Sequence, residues 1–242
     1  VIAAVATVYN EADIIGWTVQ NLLGWGVDRI YVAHGPSTDG TLEVLESFLE
    51  VVVVPDDAPV HLQPEWTWQL SQLAERDGAD WVIPFDADEF VYTAGPSIPH
   101  ELARVPVGVN KIRVERWQHL TVTDRYLDHE RLPKVAWRTG LPITTTPGNH
   151  DVIVDGGTAT DVLQIRELQF RSRAHMARKC RERVDRIDPT LPQSAGLHQR
   201  ELAVLDATGL DVAWEVRALT TTVADPIPFR SRTGVSLPVM WE

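Results

Sequence analysis

Three acidic side chains fall within four positions at Asp86, Asp88 and Glu89. Their charges repel one another at that spacing unless a cation or a proton neutralises them. Residues two apart in an extended segment point to the same side, so Asp86 and Asp88 share a face. One divalent ion can bridge the two carboxylates, with phosphate oxygens completing its shell. Magnesium or manganese suits that all-oxygen set. The single Cys180 excludes a thiolate-rich metal site and an internal disulfide. A solvated, turn-forming acidic cluster is the plain alternative, so the triplet draws its meaning from the elements that position it.

Those elements alternate. Val1 to Val8 is rich in β-branched residues and reads as a strand covered on both faces. Tyr9-Asn10-Glu11 turn the chain, and Asp13 is placed to cap a helix running through Leu23, with Ile14, Trp17, Leu22 and Trp25 at helical spacing. Strands are predicted at 28–33 and 51–54, with a helix over 39–49 between them. A further helix over 65–76 leads into Trp81-Val-Ile-Pro-Phe, a buried strand that stops at Asp86. This repetition predicts parallel βαβ units. The acidic triplet then lies at the carboxyl end of a central strand, the edge where open α/β sheets bind ligands. Beyond residue 95 the pattern loosens. Strands are expected at 107–117, 135–138 and 162–168, and a Thr-, Pro- and Gly-rich loop at 140–157. A basic helix over 172–187 carries Arg173, Arg178, Lys179, Arg181, Arg183 and Arg186, and a helical tail follows. The expected division is a nucleotide-binding half (1–95), an acceptor and metal-completing half (96–190) and a C-terminal tail (191–242).

With 34 acidic against 22 basic residues, the net charge of −12 disfavours nucleic acid as a partner. The hydrophobic opening run is too short to span a bilayer. Cysteine usage fits a reducing compartment, so a cytoplasmic location is expected, with the basic helix either solvated or docked on anionic headgroups at the inner face of the membrane. Nine tryptophans are expected mostly in the core, with one or two in a sugar-binding cleft.

Four segments in order, Val5-Ala-Thr-Val-Tyr-Asn-Glu, Ser37-Thr-Asp-Gly-Thr, Trp81-Val-Ile-Pro-Phe-Asp-Ala-Asp-Glu-Phe and Lys134-Val-Ala-Trp-Arg, resemble the family 2-like glycosyltransferases of GT-A fold. The resemblance is to the bacterial branch with an Asp-x-Asp-Glu-Phe signature. It implies a Rossmann-related α/β fold with a mostly parallel central sheet flanked by helices. It also implies a nucleoside diphosphate sugar as donor, with uracil as its base. Tyr9, Asn10, Glu11 and Asp39 would then surround the nucleoside, although Asp39 also suits a helix N-cap. Asp88 would be the main metal ligand, Asp86 would serve ribose or metal, and His150 would complete the site, favouring Mn2+ over Mg2+. An exposed loop position is the alternative for His150. Lys134, Arg138, Arg171 and Lys179 would neutralise the diphosphate.

The chemistry implied is sugar transfer to an acceptor hydroxyl, with inversion, on a carbohydrate or a lipid-linked acceptor. Metal and cations would stabilise the departing diphosphate, and Glu89, Asp151 or Glu167 would take the acceptor proton. A sugar-phosphate nucleotidyltransferase is the rival on the same fold. It is disfavoured because no glycine-rich loop follows the first strand. A non-catalytic nucleotide- or carbohydrate-binding protein is the rival from another class. The number of carboxylates gathered at one sheet edge argues against it.

Overall fold

A computed structural model describes residues 1–58, 60, 62–126, 132–186, 202–205, 207–219 and 221–238. The first half runs β1 (Ile2–Val8), α1 (Ile15–Gly24), β2 (Arg29–His34), α2 (Thr41–Glu46), β3 (Val51–Pro55), α3 (Gln63–Arg76) and β4 (Trp81–Pro84). The second runs β5 (Glu89–Tyr92), α4 (Ile98–Ala103), β6 (Val109–Gln118), β7 (Asp124–Tyr126), β8 (Lys134–Arg138), β9 (Thr144–Thr145), β10 (Val152–Ile153), β11 (Gly157–Ala159) and β12 (Gln164–Glu167). It closes with α5 (Arg173–Asp185), α6 (Ala207–Leu219) and β13 (Thr221–Ala224).

Strand alternation explains why β1 lies at the centre. Ile2, Ala4, Ala6 and Val8 point into one apolar layer with Ile15, Val19 and Leu22 of α1. Ala3 and Val5 point into the other, with Leu70 and Ala74 of α3. Both faces are therefore covered by helices, and apart from Thr7 the strand is apolar, as suits a buried parallel strand. The order β3-β2-β1-β4 is wholly parallel.

Beyond β4 the sheet is mixed rather than uniformly parallel. It continues β8-β6-β12-β5, with β8 antiparallel to β4 and β6, and β5 antiparallel to β12. β4 and β5 follow each other in the chain yet stand four places apart in the sheet, about 19 Å at ~4.8 Å per strand if it were flat. Only residues 85–88 connect them, and a turn bond from Glu89 N–H to the Asp86 carbonyl (3.0 Å) shortens even that link. The sheet must therefore curl so that β5 returns toward β4. Helix α1 fills the fold of the curl and binds the link and the strand that follows it: Thr18 Oγ1 donates to the Ala87 carbonyl (2.5 Å) and Asn21 Nδ2 to that of Val91 (2.7 Å).

Two local expectations are corrected. Asp13 does not cap α1, whose N-cap is Ile14 without a side-chain bond; its carboxylate is taken by a distant arginine instead. The C-terminal region, expected as a helical tail, also supplies β13, which pairs with β7, and an extended segment that packs back on the core. Ile227 is buried there, Phe229 meets Trp17 and Phe90, and Arg230 stacks on Trp25. The expected basic helix begins at Arg173, and its far end at Ile187 lies outside the described residues.

His119, just after β6, is 1% exposed and donates from Nδ1 to the Thr121 carbonyl at 3.3 Å. Burial, reinforced by the nearby Arg166 charge, pushes its pKa down from 6.5 to about 4. It is thus neutral when folded and protonates on unfolding in mild acid. Its contribution to stability is complete above pH 6.5 and is lost as pH falls toward 4. Urea unfolding between those limits should therefore show a pH slope that is smaller by about one proton in His119→Gln than in the parent.

Candidate functional site

The acidic turn opens onto a cleft at the carboxyl ends of β1 and β4. Its lining includes Tyr9, Asn10 and Glu11 after β1, Asp56 after β3, Gln63 at the start of α3, and Asp86 and Asp88, roofed by Lys179 and Glu182 of α5 and by Arg186 just beyond it. The cleft encloses about 700 Å³ including its open mouth. Lys179 and Glu182 lie three apart, so one face of α5 covers it.

Each carboxylate of the turn has a lysine. Lys134, 1% exposed, reaches Asp86 Oδ2 at 2.7 Å and Glu89 Oε1 at 3.3 Å. Lys179 pairs with Asp88 and with Glu11 Oε1, the latter at 2.7 Å. Both lysines keep raised pKa values although burial opposes their charge, because these carboxylates outweigh it. Beneath the turn, Glu89 and Glu167 are direct cross-strand partners and both are buried. Burial pushes the Glu89 carboxyl up to about 8 and raises that of Glu167. Glu89 Oε2 accepts the Asp86 N–H at 2.9 Å, while Glu167 Oε2 accepts from Arg116 and Gln118, both at 2.7 Å. These two glutamates brace the turn from below and do not line the cleft. Asp151 sits elsewhere, paired with Lys111 at 2.8 Å on an exposed edge.

The loop after β1 is held by a second charged group. Asn10 adopts φ 52°, and its side chain accepts the Thr38 N–H at 2.9 Å. Asp39 fixes the same loop from β2's side, accepting the N–H of Ala12 at 3.0 Å and of Thr41 at 3.1 Å, and it does not line the cleft. Arg171 grips Asp13 with two bonds of 2.7 Å and Glu11 with one of 2.6 Å. These cations outweigh the cost of burial and hold the Glu11 carboxyl below its usual range.

Lys134 and Arg138 part company. β8 runs antiparallel to β4, so Lys134 meets the acidic turn while Arg138 stands opposite Trp81, at the other end of the strand. Its guanidinium stacks on Trp81 at 4.5 Å and donates to the carbonyls of Val105 and Val109, both at 3.0 Å. The structure thus leaves Arg138 outside the cleft. Among the described residues no tryptophan lines the cleft either, and Tyr9 is the aromatic residue there, carrying Arg186 over its ring at 4.5 Å. Cleft residues that sequence reading passed over are Asp56, Gln63, Glu182 and, as a site residue, Arg186. Only the apolar run before Asp56 could have marked that residue, as a strand end.

His150 follows the turn Pro147–Asn149. Its Nδ1 lies 2.9 Å from the Pro133 carbonyl, which can only accept, so Nδ1 carries the proton and Nε2 keeps its lone pair. Burial lowers its pKa and favours that neutral form. The ring rests on Gly148, where an added Cβ would come within 2.4 Å of it.

One group among the described residues, Glu11, Asp13 and His175, offers ligand atoms within 4.8 Å of one another. Arg171 already binds both of its carboxylates, and Lys179 binds Glu11, so a dication there would face two cations. A metal there would have to displace these cations, as it would Lys134 and Lys179 at Asp86 and Asp88. Asp86, Asp88 and His150 do not converge to the same degree, but Asp86 and Asp88 are oxygen donors facing the cleft, the donor set a hard cation takes.

No family model matches the chain, and no curated protein matches it. Among solved structures, S. aureus TarS 1-349 in complex with UDP is 12% identical over 84% of this chain and 69% of that one, at a TM-score of 0.47. Glucosyl-3-phosphoglycerate synthase from Mycobacterium tuberculosis, in complex with Mn2+, UDP and phosphoglyceric acid, is 16% identical over 85% and 80%, at 0.41. Mannosyl-3-phosphoglycerate synthase from Rubrobacter xylanophilus is 21% identical over 48% of this chain, at 0.38, and the match spans 40% of that protein's length. No described helix is long and apolar enough to cross a membrane.

Removing Lys134 leaves the partly buried Asp86 and the buried Glu89 at the turn without this cation. Lys134→Met should lower the unfolding free energy by about 3–5 kcal/mol. Denaturant titration of Lys134→Met with Glu89→Gln should recover part of that loss, as expected for groups in direct contact.

Proposed function

We propose that the chain is a GT-A-type glycosyltransferase that moves a sugar from a nucleoside diphosphate, with UDP the first candidate, to an acceptor hydroxyl. The observation that carries this reading is the opposition across one cleft of the Asp86–Asp88 turn and two cations, Lys179 of α5 and Arg186 just beyond it. Such an arrangement suits a metal-bound diphosphate, which needs oxygen ligands on one side and positive charge on the other. Tyr9 and Asn10 stand where a nucleoside extending from that diphosphate would lie.

Asp88 and Asp86 would hold Mn2+ or Mg2+, which when bound supplies charge stabilisation at the leaving diphosphate. His150 presents a neutral ring whose Nε2 is a suitable third ligand once the 147–150 turn draws closer. Lys179 would pass from Asp88 toward the phosphates as the metal takes over that carboxylate. Lys134 would hold Asp86 in place. Arg171 would act one step back, by holding Glu11 and the loop after β1. Glu89 is buried beneath the turn and bonded to the Asp86 amide, so service as the acceptor's base would require it to reach the cleft. The acceptor is a carbohydrate or a lipid-linked sugar. On the exposed side of α5, Arg173 pairs with Asp211 and Glu215, and Arg178 with Glu182.

Calorimetry with UDP-, GDP- and dTDP-sugars should show one nucleotide class binding in the micromolar range with Mn2+ present. Omission of the metal or Asp88→Ala should weaken it at least tenfold. Equal binding with and without both would rule the reading out.

A further inference from the structure

Asp86 is held from two directions. Lys134 takes Oδ2, and the Gln63 side-chain amide donates to Oδ1 at 3.1 Å. The same amide's oxygen accepts the Gly148 N–H at 3.1 Å. The backbone N–H can only donate and the carboxylate can only accept, so the amide has one permitted orientation, with oxygen toward Gly148 and nitrogen toward Asp86. Gln63 is 6% exposed and lines the cleft, so this bridge is a part of its wall. Gly148 is also the residue on which the His150 ring rests, at φ 75°, a backbone shape that favours glycine. One side chain therefore joins the acidic turn, on the link from β4 to β5, to the turn that carries His150.

We infer that Gln63 is a positioning residue that sets the separation of Asp86 from the His150 turn, and so tunes divalent-cation binding in the cleft. The inference rests on the donor-site reading above. Glutamate would not serve here, because an ionised carboxylate accepts from Gly148 but repels Asp86. Leucine would keep the volume and lose both bonds. A second tether between the same helix and the same turn provides the comparison: Thr67 Oγ1 bonds Asn149 Oδ1 at 3.0 Å, four residues further along α3 and without touching Asp86.

The test measures Mn2+ alone by electron paramagnetic resonance, then UDP by calorimetry with and without Mn2+, on the parent, Gln63→Leu and Thr67→Val, with melting temperatures for all three. Gln63→Leu is expected to weaken Mn2+ binding, and the gain in UDP affinity that Mn2+ confers, at least tenfold. Thr67→Val should leave both within twofold while losing comparable thermal stability. The inference is overturned if Gln63→Leu stays within twofold of a parent that binds UDP in a Mn2+-dependent way, or if Thr67→Val is equally damaging, since a merely structural tether would act through either bond. A parent that binds UDP without regard to Mn2+ overturns it as well. A parent that binds neither ligand removes the donor-site reading and this inference together.

Discussion

Placing three acids in four residues at the end of a buried strand obliges the fold to bring cations to them. Lys134 comes from the neighbouring antiparallel strand and Lys179 from a helix nearly a hundred residues further on, and each contacts two carboxylates. An ion pair removed from water recovers its desolvation cost only when geometry and further hydrogen bonds are good. The supporting contacts supply that: the Asp86 amide on Glu89, Gln63 on Asp86, and Arg116 with Gln118 on Glu167. Much of the second half of the chain can be understood as delivering these groups. β8 reverses direction so that its first residue, not its last, meets the turn. β12 sets Glu167 opposite Glu89, and its extension through Arg171 ties the loop after β1 to the start of α5.

The same arrangement separates two kinds of charged residue that look alike in sequence. Lys134 and Arg138 share a strand and point to the same face, yet four residues carry them to opposite ends of it, roughly 13 Å apart. One meets carboxylates and the other meets an indole and two carbonyls. Glu89 and Asp88 are adjacent, yet one lines the cleft and the other lies sealed under it. Function at this edge follows from which end and which face a side chain occupies.

The parallel first half was legible because its signals are local: β-branched runs, helical spacing and a strand that ends on its acids. What sequence could not convey was partnership at long range. Asp13 resembles a helix cap and instead receives Arg171 from 158 residues away. The basic helix reads as a solvated face until its partners, Glu11, Asp88, Asp56 and those on α6, are known. The mixed half escaped because β5, β7 and β13 are only three or four residues long and depend on pairing rather than on pattern. Gln63 gave no signal at all, since an amide at the first turn of a helix is unremarkable until both of its partners are fixed.

The separation in sequence between the acidic turn and its cations also bears on how the chain is made. Synthesis delivers residues 86–89 well before Lys134 and Lys179, so the turn leaves the ribosome with its acids uncompensated. The α1 layer beneath it waits longer still, because Trp25 and Asn21 bind Pro228 and Arg230 more than two hundred residues later. Contacts so distant form slowly. The parallel strands at the start of the chain must therefore persist as an unfinished sheet, with α1 covered only when the segment carrying Pro228 and Arg230 packs on it.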